Sequence, residues 1–114
     1  MKKDPKVFIG HIIESIELIE HYSEKLTANK FKKDQALQDA IIRRLEIIGE
    51  ATKNIPATFR ARYAEIPWKQ MAGIRDILIH EYFDIDLDLT WQVVKRELQP
   101  LKLQLQVILS NAFD

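Results

Sequence analysis

Apolar residues recur along nearly the whole chain at spacings of three and four, the period of amphipathic helices, and alternating runs of the kind that mark strands are scarce. Asp4 and Pro5 offer an N-cap followed by proline at the first helical position. Phe8, Ile12, Ile16, Ile19 and Leu26 continue as a stripe, predicting a first helix over 5–26. The polar, basic stretch 27–33 reads as a loop ahead of an N-cap at Asp34. After it Leu37, Ile41, Leu45 and Ile48 line one face of a second helix ending near Asn54. Residues 56–64 suit a short helix, and Ile66 and Pro67 start another that should run over 68–83. Asp84, Asp86 and Asp88 then supply N-cap candidates for a last helix from about residue 89, carrying Val94, Leu98, Leu101, Leu105 and Ile108. Pro100 should kink or split it. A second apolar row on this helix, Val93, Pro100, Leu103 and Val107, needs either a partner or cover on both sides within its own bundle. The pattern predicts an all-α fold, an up-and-down bundle of four to five helices in a single domain over 1–114.

Composition narrows the chemistry. At 114 residues, 46% hydrophobic and 30% charged, the chain has the balance of one packed domain and not of a disordered segment. No apolar run approaches the ~18 to 20 residues of a membrane span, and the start lacks the apolar stretch of a secretory signal, so a cytoplasmic protein with no membrane association is expected. Without cysteine there is no disulfide framework, thiolate nucleophile or cysteine zinc site, and three histidines leave little for a metal; no metal or cofactor is expected. Formal charge is zero, which argues against a generic nucleic-acid coat, but its distribution is uneven: residues 25–75 carry +6 and residues 76–90 carry −5. Local fields of opposite sign can steer ligands even where the total vanishes, although most such charges simply solvate helix surfaces.

The informative stretch is MAGIRDILIHEYF, residues 71–83. On an ideal helix Met71, Leu78, Ile79 and Tyr82 form an apolar arc, with Arg75 about 20° from Tyr82. A guanidinium there requires a carboxylate partner, a cleft or an interface. Asp76 and His80 lie about 40° apart, close enough for the carboxylate to fix the ring tautomer, with Lys69 and Gly73 beside them. Gly73 would permit close approach of a helix or of a ligand backbone. Arg44 interrupts the Leu37–Ile48 stripe and either reaches the same cleft or pairs with an acid. Arg60, Arg62 and Lys69 can attract a polyanion, a solvated face being the simpler reading, and His11 and His21 read as ordinary histidines without metal partners.

Arg75, four intervening residues, His80 and then Glu81-Tyr82 resembles the Arg-x4-His-x-Tyr form of the HEPN motif found in HepT-like toxins. The blocks 42–51 (IRRLEIIGEA) and 66–83 are also similar to that group, the likeness covering most of 5–110. The resemblance implies a homodimeric, HEPN-like helical bundle that cleaves RNA without a metal. It also implies a neutralising partner of the minimal nucleotidyltransferase type that adenylylates the motif tyrosine. On this likeness Arg75 and His80 are the catalytic pair, Asp76 the polar supporting residue and Tyr82 the modified one; Arg44 and Lys69 are candidate substrate contacts.

The residue types suit that chemistry, because RNA brings its own nucleophile in the 2′-hydroxyl and needs only proton transfer and charge stabilisation. Histidine can supply the first and the arginine fork the second. On a straight helix, however, Arg75 and His80 point about 140° apart, so two copies facing across a two-fold axis would be needed to converge them on one phosphate. The reading from a different class is a non-catalytic helical interaction module in which Arg75 and His80 brace a dimer.

Overall fold

Two long helices set the frame. In the computed structural model, which describes residues 4–80 and 84–112, α1 (Pro5–Ser23) and α3 (Gln35–Lys53) pack along their lengths and α8 (Leu98–Ala112) lies against α1. Ile9, Ile12, Ile16 and Ile19 of α1 meet Ile41, Leu45 and Ile48 of α3 in the core, which Leu101, Leu105 and Ile108 of α8 close. Most of the predicted stripe positions are here, with Ile9 also buried, Phe8 and Leu37 only half-buried at the edge and Leu26 beyond the helix end, and burying such stripes is what stabilises helices of this length in water. The caps are also as the sequence requires: Asp4 accepts from Lys6 N (3.0 Å), with Pro5 in the first turn, and Asp34 accepts from Leu37 N (3.1 Å).

Between the long helices the chain is finer-grained than its periodicity indicates. The first helix stops at Ser23, where the side-chain hydroxyl donates to Ile19 O (2.8 Å). The stretch 27–33 is not a loop: Thr27 caps a short helix, α2 (Ala28–Lys33), whose Phe31 is fully buried and stacks on Trp91 with ring centroids 5.2 Å apart. One anchored aromatic fixes a segment whose other side chains are polar or small, with Lys32 paired to Asp88. Next come α4 (Ala57–Arg62), α5 (Trp68–Ala72), α6 (Ile74–Leu78) and a two-stranded antiparallel ladder, β1 (Ile79–His80) with β2 (Asp84–Ile85). Asp86 then caps α7 (Leu87–Gln92), accepting from Leu89 N at 3.0 Å.

Pro100 does not split the last helix. A π-helical segment, Val93–Glu97, carries the chain from α7 into α8, with the Leu98 N–H bonded to Val93 O, five residues back. Such a widened turn absorbs the missing proline donor and the crowding of its ring without breaking the helical path. The extra residue in the turn also shifts the register, so that Val93 and Val94 both face inward. The expected outer row therefore loses Val93 and retains Leu103 and Val107, each more than half exposed. No helix among the described residues is long and apolar enough to cross a membrane.

Candidate active site

The segment expected to be one helix over 68–83 is interrupted twice. Gly73 (φ −97°, ψ 15°) separates α5 from α6, and α6 ends where Ile79 turns extended (φ −111°, ψ 113°). Ile77, Ile79 and Ile85 are β-branched, and such residues lose rotamer freedom in a helix and fit a pleated backbone. The ladder places Ile79 opposite Ile85 and His80 opposite Asp84, and Asp86 N donates to Leu78 O (2.7 Å). His80 is therefore on a strand while Asp76 is in the first turn of α6. Their helical i,i+4 pairing does not form, and no hydrogen bond or ion pair joins them among the described residues. The carboxylate in register with His80 is Asp84, which helical spacing could not have indicated. Nor does the angle of about 140° between Arg75 and His80, computed for a straight helix, describe this geometry.

Arg75 is not in a buried stripe. Its side chain is 61% exposed, and its Nε lies 3.3 Å from Glu46 Oε2 on α3. The two meet because α3 approaches the α5–α6 junction closely at Gly49: a Cβ there would stand 3.2 Å from Met71 O, 3.3 Å from Ile74 Cγ2 and 3.4 Å from Ala72 O. The close-approach glycine is thus Gly49, whereas a Cβ on Gly73 would meet only Lys69 O, at 3.4 Å. Glycine at 49 lets the helix back onto backbone, and Glu46, one turn earlier, reaches the arginine.

The junction opens as a cleft of about 210 Å³. Its α3 wall carries Arg43, Glu46, Glu50 and Lys53, spaced by three, four and three residues so that all share one face; Arg75 and Asp76 stand opposite. Glu50 is paired with Lys53 (3.3 Å) and Glu46 with Arg75, leaving Arg43 without an ion pair among the described residues. Arg44, the arginine suggested by the stripe, is half-buried and does not line this cleft. Of the Arg43-Arg44 pair it is Arg43 that lines the cleft, because the cleft lies on the side of α3 that the Gly49 contact turns toward α6. Lys69 lines a separate cleft between α4 and α5 with Arg60, joined to the first only at Ala72. Arg62 is committed to the Phe59 and Tyr63 rings, at 5.9 and 5.7 Å. Tyr82, expected to be the modified residue, lies outside the described residues. Among those residues no group of three or more His, Asp or Glu is placed to hold a metal.

A mainly helical frame that exposes the Arg75 and His80 of the Arg-x4-His spacing fits a HEPN-type protein, and sequence comparison shows the family. The family model described as ribonuclease HepT-like matches residues 12–108, and the chain belongs to that family. It is 53% identical over 111 residues to a protein of Methanocaldococcus jannaschii named "Gamma-glutamylcyclotransferase and putative RNase", covering 97% of this chain but only half of that relative's length. It is 46% identical over 102 residues to the "Probable ribonuclease HepT" of Thermococcus cleftensis, covering 90% of this chain and 93% of the relative. A "Putative RNase" of Caldanaerobacter subterraneus subsp. tengcongensis is 39% identical over 109 residues, with 96% and 97% covered. No solved structure matches the chain.

Proposed function

We propose that this protein is a metal-independent endoribonuclease in which Arg75 and His80 act on one scissile phosphate of RNA. The observation that carries the reading is the exposure of both side chains on the α6–β1 tip, with Arg75 61% exposed and paired on the α3 side with Glu46. His80 transfers the proton of the 2′-hydroxyl or the leaving oxygen, and Arg75 follows the growing charge on the phosphoryl oxygens. Asp76 supports the site through the charge of the shared cleft, and Lys69 attracts the substrate from its own cleft. Ribonuclease names among the relatives support this reading.

We further infer that residues 1–114 form a single HEPN-like domain and that two copies combine Arg75 of one with His80 of the other, a reading supported by the HepT-like family and by the uncovered Leu103 and Val107 of α8 and no longer by the straight-helix angle. The protein's role is that of a cytoplasmic toxin neutralised by a minimal nucleotidyltransferase that adenylylates Tyr82. The added phosphodiester would occupy the guanidinium meant for RNA while the adenosine blocks the approach. His80→Ala and Arg75→Ala should each lower RNA cleavage by at least ~10²-fold with helical content unchanged, and EDTA should change little. Full activity in either folded variant, or strict dependence on a divalent ion, would overturn the assignment. A monomer of 13.4 kDa in sedimentation at micromolar concentration would overturn the composite site. An AMP mass increase confined to the Tyr82 peptide, with loss of cleavage, is the outcome expected from ATP and the nucleotidyltransferase. The competing reading, a non-catalytic interaction module, draws on the exposed Leu103 and Val107 of α8, and the same cleavage assay decides between the two.

A further inference from the structure

The cleft that holds Arg75 does not end at the α3 wall. Arg43 and Glu50 also line a second groove, of about 250 Å³, on the other side of that wall, together with Phe8, His11, Ile47 and Asn54. Arg43 therefore stands on the ridge between the two, exposed and without an ion pair among the described residues. Glu50, the acid on the same ridge, has Lys53 at 3.3 Å, and with both side chains more than half exposed water screens its charge from a phosphate on Arg43. Across the groove Phe8 and His11 present two rings in edge-to-face contact, centroids 6.3 Å apart, with Phe8 half-buried and His11 exposed. A guanidinium on a ridge and a pair of rings in the adjoining groove match the two recurring parts of a nucleotide, a phosphodiester and a flat base.

Resting on the ribonuclease reading, we propose that this groove is a subsite for the RNA nucleotide flanking the scissile one. Arg43 takes the flanking phosphate and the Phe8–His11 rings take its base. The subsite discriminates by length and not by sequence, since every base offers a π-face to the rings and the only charged contact is to the backbone. RNA that ends at the scissile phosphate has nothing to place in it. Because the wall residues Arg43 and Glu50 are shared, a strand leaving the Arg75 cleft needs only to cross one helix face to reach the rings.

The test uses the His80→Ala protein, which does not consume its ligand, and fluorescein-labelled single-stranded RNAs of two and six nucleotides in an anisotropy titration. On the hexanucleotide Arg43→Gln should weaken binding roughly tenfold and reduce the slope of log K against log salt by about 0.7, the loss of one phosphate contact, while Arg44→Gln stays within about twofold. His11→Ala and Phe8→Leu should each weaken the hexanucleotide roughly fivefold without altering the salt slope, and should leave the dinucleotide unaffected. His11 is exposed, so His11→Ala keeps the test sound if Phe8→Leu disturbs the core edge. An abasic site at the flanking position should erase the effect of His11→Ala. Equal effects of Arg43→Gln and Arg44→Gln, or equal losses on the two lengths, would overturn the subsite. Wild-type protein that binds the hexanucleotide in the Arg43-dependent way but does not cleave it would sink the catalytic reading and leave the subsite standing. Cleavage by wild type with Arg43→Gln and His11→Ala both silent would do the reverse.

Discussion

The α1–α3 interface and the Trp68–Ile85 tract are built on opposite principles from similar residue types. Along α1 and α3 seven isoleucines and leucines face each other in unbroken helical stripes, each almost or wholly buried, and both helices begin at side-chain caps. Among the described residues from Trp68 to Ile85 the chain makes two five-residue helices and two two-residue strands. Leu78 is fully buried there, whereas Ile77 and Arg75 are exposed. Burial at about 25 cal/mol per Å² makes the first region the source of stability. The second is held by a few docking points, Trp68 Nε1 donating to Tyr63 O (2.9 Å), Met71 in the core and the α5–α6 junction seated against α3 at Gly49, and it is left with polar side chains pointing outward. The division lets chemistry change on the tip at little cost to the fold.

The largest expected stability effect belongs to the frame. Ile16, with no exposed surface, sits mid-stripe on α1; Ile16→Ala should lower unfolding free energy by about 2–5 kcal/mol in urea titration, with cleavage unaltered at temperatures where the protein stays folded. A loss below ~1 kcal/mol would mean that the stripe is not the core.

The contrast is sharpened at the glycine where the two regions meet. Gly49→Ala would push a methyl against Met71 O and Ala72 O, backbone atoms that cannot turn aside, and should cost about 1–3 kcal/mol while lowering cleavage by separating Glu46 from Arg75. Gly10, on the same frame, has nothing within 4 Å of a built Cβ, so Gly10→Ala should add about 0.5–1 kcal/mol through helix propensity alone. Opposite signs in one helical frame, read by thermal melts, would isolate the contact from the propensity.

How much of this was legible in sequence follows the same division. The long stripes announced α1, α3 and α8 because burial repeats the 3.6 period over many turns, and the caps Asp4 and Asp34 are local chemistry. The short elements were hidden for physical reasons: α2 depends on one distant aromatic partner, Trp91, and the helix end at Leu78 depends on strand pairing with Ile85. Arg75 and His80 could be singled out from the motif spacing as the candidate pair, whereas the residues that the fold sets beside them could not. Asp84 faces His80 through a ladder, and Arg43 reaches the cleft through the docking of α3 at Gly49; both relations are tertiary.

The smallest expected effect tests whether the tip is truly separate from the frame. The Glu46–Arg75 pair joins the two, yet with Arg75 61% and Glu46 33% exposed, water screens it and the long side chains lose entropy in forming it. Glu46→Gln keeps the shape and removes the charge, and should change unfolding free energy by under ~0.5 kcal/mol. Its consequence should appear in the arginine itself: the Arg75 Nε–H, followed by ¹⁵N NMR, should exchange faster with water once the carboxylate is gone, and kcat should fall several-fold as the guanidinium samples orientations away from the phosphate. A stability loss above ~1 kcal/mol would place Arg75 in the frame and undo the comparison. Unchanged Nε–H exchange would mean that the arginine is oriented by something other than Glu46, leaving Asp76, on the same cleft, as the next carboxylate to remove.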